Sequence, residues 1–118
     1  FIQESNLIKD LADKESCVIV GRCADFILKD NQNVLKIFID NSLENKIKRA
    51  TTFYRMDKEK AKKEITRINK LRANHYKYYT ENNWKEPSNY DICINSDAIG
   101  IDYAVELICN MVKDVQKV

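Results

Sequence analysis

Arg22 follows directly on a short apolar run, Cys17–Val20, and a glycine, Gly21. An arginine that leaves a buried strand through a glycine turn holds a planar fork of five donors at the rim of a crevice, where it matches a phosphate or carboxylate. The plainer alternative is a structural salt bridge from Arg22 to Asp25. A second group of cations, Arg49, Arg67, Lys70 and Arg72, lies in a segment of unusual charge. From Glu44 to Lys85 there are 13 Lys and Arg against 5 Asp and Glu, a net +8, whereas the rest of the chain sums to −6. A solvated helix face with i to i+4 pairs accounts for Lys58–Glu64 but not for the positive excess beyond it. Phosphoryl transfer asks little covalent chemistry of a protein and much positive charge over the moving group, so arginines on a closing segment are its expected tools. Engagement of nucleic acid, a membrane surface or a partner protein is the competing use of such a stripe.

The other reactive side chains point less far. The four cysteines form no C-x-x-C pair and there is one histidine, His75, so no metal-ligating cluster is expected. Cys17, Cys93 and Cys109 fall in apolar runs, where a thiol packs as a small hydrophobe. Cys23 adjoins Arg22, an arrangement that could lower its pKa, but no base for a nucleophile is evident. His75 reads as a surface or hinge residue. Tyr76, Tyr78, Tyr79 and Trp84 could stack nucleobases, although a packed hinge is the favoured reading, and nucleic acid is not the expected partner.

These residues need elements to carry them. Of 118 residues, 44% are hydrophobic and 32% charged, which excludes a disordered tail and fits one domain, 1–118. Two glycines and one proline argue for helices over a loop-rich sandwich. The longest apolar run is four residues, Cys17 to Val20, so neither a membrane span nor a signal segment is expected. With unpaired cysteines, that places the chain in the cytoplasm.

The apolar spacing predicts a helix over 1–14, with Leu7, Ile8, Leu11 and Ala12 on one face, then a buried strand over Ser16–Val20. A turn and short helix follow in 22–29, a loop at 30–33 and a second strand over Val34–Asp40. Asn41 and Glu44 form a capping-box pattern for a helix through Leu43, Ile47, Ala50 and Tyr54. Asp57 caps the next helix, with Ala61, Ile65, Ile68 and Leu71 on one face, reaching about Tyr79. The stretch 80–89 is irregular, Asp91–Asn95 is a third strand, 95–100 a loop, and a final helix carries Ile101, Ala104, Val105, Ile108, Met111, Val112 and Val115. Such alternation implies a parallel, doubly wound α/β sheet covered on both faces, with ligands beyond the carboxyl ends of its strands. Gly21 and Arg22, Asp40 and Asn41, and Asn95 and Ser96 emerge there.

The runs C-V-I-V-G-R-C-A-D-F-I-L (17–28), V-L-K-I-F-I-D-N-S-L-E-N-K-I-K-R (34–49), I-N-K-L-R-A-N-H-Y-K-Y-Y-T (68–80) and Y-D-I-C-I-N-S-D-A-I-G-I-D (90–102) together resemble the cytidylate kinase-like family of P-loop nucleoside monophosphate kinases. The resemblance implies a three-layer α/β/α P-loop kinase-like sheet with a basic helical lid inserted at 57–89. It implies transfer of a phosphoryl group from Mg2+-ATP to a nucleoside monophosphate such as CMP or dCMP. Gly21, Arg22 and Asp25 would hold the acceptor phosphate. Arg49 would lie near the donor phosphates, Lys70 and Arg72 would close over the transferred group, and Asn95, Ser96 and Gly100 would border the adenine.

The pattern departs from the family in three places. Val20 stands where an acidic residue precedes G-R, and Cys23 where Asp follows it, with the acid displaced to Asp25. No G-x-x-x-x-G-K-[ST] occurs, and Gly21 and Gly100 alone cannot form one. The expectation is therefore a C-terminal portion that lacks an N-terminal P-loop segment and is inactive alone, consistent with a first residue, Phe1, that is not methionine. The alternative is a non-catalytic module that binds nucleotide or nucleic acid through its basic helices.

Overall fold

The computed structural model describes residues 1–114. Its elements in chain order are α1 (Ile2–Lys14), α2 (Ala24–Ile27), β1 (Ile37–Asp40), α3 (Leu43–Phe53), α4 (Lys58–Thr80), a 3-10 turn (Pro87–Asn89), β2 (Ile92–Asn95), α5 (Ser96–Ile99) and α6 (Ile101–Asp114). Val115, expected on the last helix face, lies outside the described residues.

β1 and β2 form a two-stranded parallel sheet in the register Ile37↔Ile92, Phe38↔Cys93, Ile39↔Ile94 and Asp40↔Asn95. The chain between them runs out through α3 and α4 and back, so two strands distant in sequence end side by side. The ladder opens where the Asp91 amide donates to the Lys36 carbonyl at 2.8 Å and the Lys36 amide donates to the Asp91 carboxylate at 2.7 Å. Phe38 leaves one face of the sheet and is covered by Tyr90, stacked at 4.9 Å, and by Trp84, edge-on at 5.5 Å.

The first of the three expected strands, Ser16–Val20, does not form. A strand exists only through pairing of its backbone groups, and among the described residues none lies in register beside this segment. Its Ile19 packs on the cluster of Ile8, Ala24 and Leu28, while Val18 and Val20 stand 92% and 86% exposed. The sheet is correspondingly two-stranded rather than doubly wound and covered on both faces. Apolar stripes narrow for the same reason: α1 buries Ile8 but leaves Leu7 and Leu11 exposed, and α6 buries Ala104 but leaves Val105 and Val112 exposed.

Local chemistry fixes most helix ends. Asp57 caps α4 by accepting from the Lys60 amide, as its position ahead of the apolar stripe predicts. α3 is capped by Ser42, whose hydroxyl accepts from the Asn45 amide at 3.1 Å, and not by Asn41. α3 and α4 pack through Ala50 and the fully buried Ala61, small side chains that let the two backbones approach closely. The expected loop at 95–100 is mostly the single turn α5, capped by the Asn95 side chain accepting from Asp97 N. Gly100 separates it from α6 at φ +82, a conformation natural to glycine alone.

Three of the four cysteines contradict the expectation of buried packing. Cys17, Cys93 and Cys109 are exposed, and only Cys23 is buried.

Candidate functional site at the strand ends

Parallel register brings the carboxyl ends of β1 and β2 together, and a cleft of about 300 Å³ opens beside them. One wall comes from the β1–α3 connection and the first turns of α3: Asn41, Asn45, Lys48 and Arg49. The other is built by α5 and the start of α6: Ser96, Asp97, Ile101 and Asp102. Asn45, Lys48 and Arg49 share this wall because residues three and four apart fall on one helix face.

Asp97 ties the walls together. Its carboxylate accepts from the Ser42 backbone amide at 2.7 Å and from the Asn45 side-chain amide at 2.6 Å. Ser96 adds a second tie, its hydroxyl donating to the Asp40 carbonyl at 3.2 Å. Asp40 itself pairs with Lys46 at 3.2 Å and Lys85 at 3.5 Å. Lys48 and Arg49, by contrast, make no ion pair among the described residues, and the Arg49 guanidinium rests 5.4 Å from the Phe53 ring centroid. The cleft therefore presents two cations without an ion pair among the described residues opposite a wall that holds Asp102 and the already hydrogen-bonded Asp97.

Two carboxyls in this region sit below their ordinary range. Asp97 is lowered by its bonds from Asn45 and Ser42. For Asp40, burial pushes upward, but the Lys46 hydrogen bond, the Asn41 amide and the charges of Lys46 and Lys85 outweigh it. A depressed folded-state pKa stabilises above the unfolded value, about 3.9, and that stability is lost as pH falls through the folded value. Thermal unfolding followed by circular dichroism should therefore show a midpoint that falls steeply below about pH 4. Asp97→Asn should lower the neutral-pH midpoint and flatten this acid limb.

The residues singled out in the sequence divide between two places. Arg49 and Ser96 line the cleft, with Asn95 and Gly100 flanking it as the cap and end of α5. Gly21, Arg22 and Asp25 form a separate turn. There Arg22 pairs with Glu4 of α1 at 3.4 Å rather than with Asp25, which instead accepts from the Tyr76 hydroxyl at 2.7 Å. Lys70 and Arg72 are exposed on α4 and line no part of this cleft. The Cys23 thiol is pushed up, first by burial and then by the charges of Asp25 and Glu4, opposite to the effect expected of Arg22. Of the aromatic group, Tyr76 is buried and Trp84 half-buried, while Tyr78 is exposed and Tyr79, at the surface, lies against Phe1 and His75.

Asn41 lines the cleft, as its place at a strand end beside Asp40 predicts, whereas Asn45, Lys48, Asp97 and Asp102 carry no motif that marks them, although Asn45, Lys48 and Arg49 stand at i, i+3, i+4. Among the described residues no three His, Cys, Asp or Glu side chains converge on a point that would hold a metal, and Asp97 is already engaged by Ser42 and Asn45. The donor set does not fit a magnesium site of the chain's own.

A parallel two-stranded sheet with a polar cleft beyond its strand ends, where Lys48 and Arg49 face Asp97 and Asp102, defines an α/β protein with its candidate site at that edge. Residues 1–98 match the cytidylate kinase-like family, and the chain belongs to it. It is also similar to an uncharacterized protein from Eubacterium ventriosum ATCC 27560 whose crystal structure is known. The two share 34% identity and a TM-score of 0.89, over 97% of this chain and 72% of that one. No curated protein matches the chain. Membership relates it at a coarse level to nucleotide kinases. Among the described residues no helix is long and apolar enough to cross a membrane.

Proposed function

We propose that residues 1–118 form the acceptor, lid and adenine-bordering part of an ATP-dependent nucleoside monophosphate kinase, and that the acceptor is a CMP- or dCMP-like nucleotide. The observation that carries this reading is Arg49 with Lys48 in a cleft at the carboxyl ends of two parallel strands, in a chain of the cytidylate kinase-like family. Arg49 and Lys48 supply positive charge to the donor phosphates, and Ser96, with Asn95 and Gly100 beside it, borders the base. Arg22 takes the acceptor phosphate: its present partner Glu4 is an exposed carboxylate, and such surface pairs hold weakly. Lys70 and Arg72, on the exposed face of α4, close over the transferred group, with 57–89 acting as the lid.

On this reading the two strands belong to a three-layer P-loop kinase-like sheet. The loop that cradles the β- and γ-phosphates comes from a segment outside residues 1–118, because Gly21 and Gly100 both stand in turns and neither belongs to such a loop. Magnesium enters on the nucleotide's phosphates, as it commonly does. Four unpaired thiols suit a reducing cytoplasm.

The test is phosphoryl transfer by the whole natural protein from Mg2+-ATP to a panel of nucleoside monophosphates. Turnover with a pyrimidine monophosphate that collapses in an Arg22→Ala, Arg72→Ala double variant is the expected result. Turnover no higher than that of the double variant overturns it, and a steep salt dependence of RNA binding would then favour the nucleic-acid module.

A further inference from the structure

The turn that carries Arg22 is strained. Gly21, Arg22 and Cys23 lie in succession at φ 71, 62 and 55, and only the first is a glycine. A side chain crowds the backbone in this region, so such a conformation persists at a non-glycine residue only where its surroundings over-determine it. Local amide bonds contribute: Ala24 donates to the Gly21 carbonyl at 3.1 Å, and Phe26 and Ile27 donate to the Cys23 carbonyl at 3.0 and 2.9 Å. These bonds wind α2 but do not anchor the turn to the rest of the fold.

Beside the packing of Ala24 and Leu28 on Ile8 of α1, two side-chain ties leave the turn and α2, the helix that continues it. The Arg22–Glu4 pair is solvated, with the Arg22 side chain 69% exposed, and holds little. The other is the 2.7 Å bond from Tyr76 to Asp25, which spans 51 residues and ends on a tyrosine only 5% exposed. Tyr76 sits near the end of α4, four residues beyond Arg72 and six beyond Lys70. Its hydroxyl therefore joins the Arg22 turn to the helix that bears the other two cations.

We propose that Tyr76 is a positioning residue: by donating to Asp25 it holds the Gly21–Cys23 turn in its left-handed form and fixes Arg22 relative to α4. The inference rests on the reading of Arg22 as the acceptor-phosphate residue, and it deepens that reading by giving Arg22 a fixed place. Buried Cys23 reports the turn's state, because its thiol becomes reachable only when the turn opens.

Tyr76→Phe keeps the ring and removes the donor. In the whole protein it should raise the KM for the monophosphate about tenfold, the size expected of a hydrogen bond to a charged group, with the KM for ATP unchanged. Maleimide labelling of Cys23, done briefly on the folded protein and read by peptide mass mapping after quenching and digestion, should quicken by about the same factor. Asp25→Asn, whose amide oxygen still accepts from Tyr76, should label like the parent. Asp25→Ala should label like Tyr76→Phe, and the double variant no faster than either. Unchanged Cys23 labelling in Tyr76→Phe overturns the proposal, as does a KM shift equal for both substrates. If the parent transfers no phosphate at all, the kinase reading fails, and the labelling arm still decides whether Tyr76 holds the turn.

Discussion

Arg49→Ala is expected to cut phosphoryl transfer by about 10²–10³-fold, the loss typical of one charge-stabilising donor removed from a reacting group. The expectation follows from what Arg49 does not do in the fold. It makes no ion pair among the described residues, it is exposed, and its one described contact of note is the Phe53 ring at 5.4 Å. An exposed cation over a ring contributes about 0.5–1 kcal/mol, so the variant should fold and melt close to the parent. Arg49→Lys keeps the charge but loses the planar fork, and should recover only part of the rate. Steady-state kinetics with unfolding curves on the same preparations separate the two effects. An alanine variant within about threefold of the parent rate would remove Arg49 from the chemistry, whatever the loss typical of such donors.

How far the sequence foretold this site depends on the range of each interaction. Asp57 was legible because a cap acts on an amide three residues away and the apolar stripe begins beside it. The same logic chose Asn41 for α3, since Glu44 follows it by three. The adjacent Ser42 takes the role instead, and Asn41 is left to line the cleft. Both are good cap residues, and only the backbone's exit from β1 decides between them. Val18 and Val20 read as buried because their composition is that of an inner strand, but burial depends on a neighbouring strand that no local pattern specifies.

Asp97 was out of reach for a different reason. Its value to the cleft lies in Ser42 and Asn45, 55 and 52 residues upstream, which adjoin it only because β1 and β2 run parallel in register. Arg49 stands out by the charge of its segment and Ser96 by its place at a strand end, and the roles of both, with Gly100, come from resemblance to a family, where the register of the strand ends is already implicit. Lys70 and Arg72 were placed the same way, yet the helix that carries them faces solvent and their approach to any substrate requires movement of α4 or of the ligand toward it. At that end of α4, Tyr76 is the residue that reaches α2, through its bond to Asp25.

Tyr76→Ala should accordingly be the most destabilising single change near the site. Removing a buried aromatic ring typically costs about 3–5 kcal/mol, a large part of the 5–15 kcal/mol that holds a domain of this size. Urea unfolding should show the midpoint drop sharply for Tyr76→Ala and by only about 1–2 kcal/mol for Tyr76→Phe, which forfeits the bond to Asp25 but keeps the packing. The hydroxyl leaves its own signature at high pH. Burial, then the bond to and charge of Asp25, hold the Tyr76 phenol well above the usual tyrosine range, and burial with the Asp25 charge pushes Tyr90 up to about 12. A raised folded-state pKa stabilises below the unfolded value, about 10, and that stability is lost as pH rises through the folded value. The parent should therefore lose stability progressively above about pH 10, and Tyr76→Phe, with one phenol fewer to ionise, should lose it on a shallower slope. An alkaline limb of unchanged slope in Tyr76→Phe would mean that the phenol is not held by Asp25, and the coupling between the Arg22 turn and α4 would fall with it.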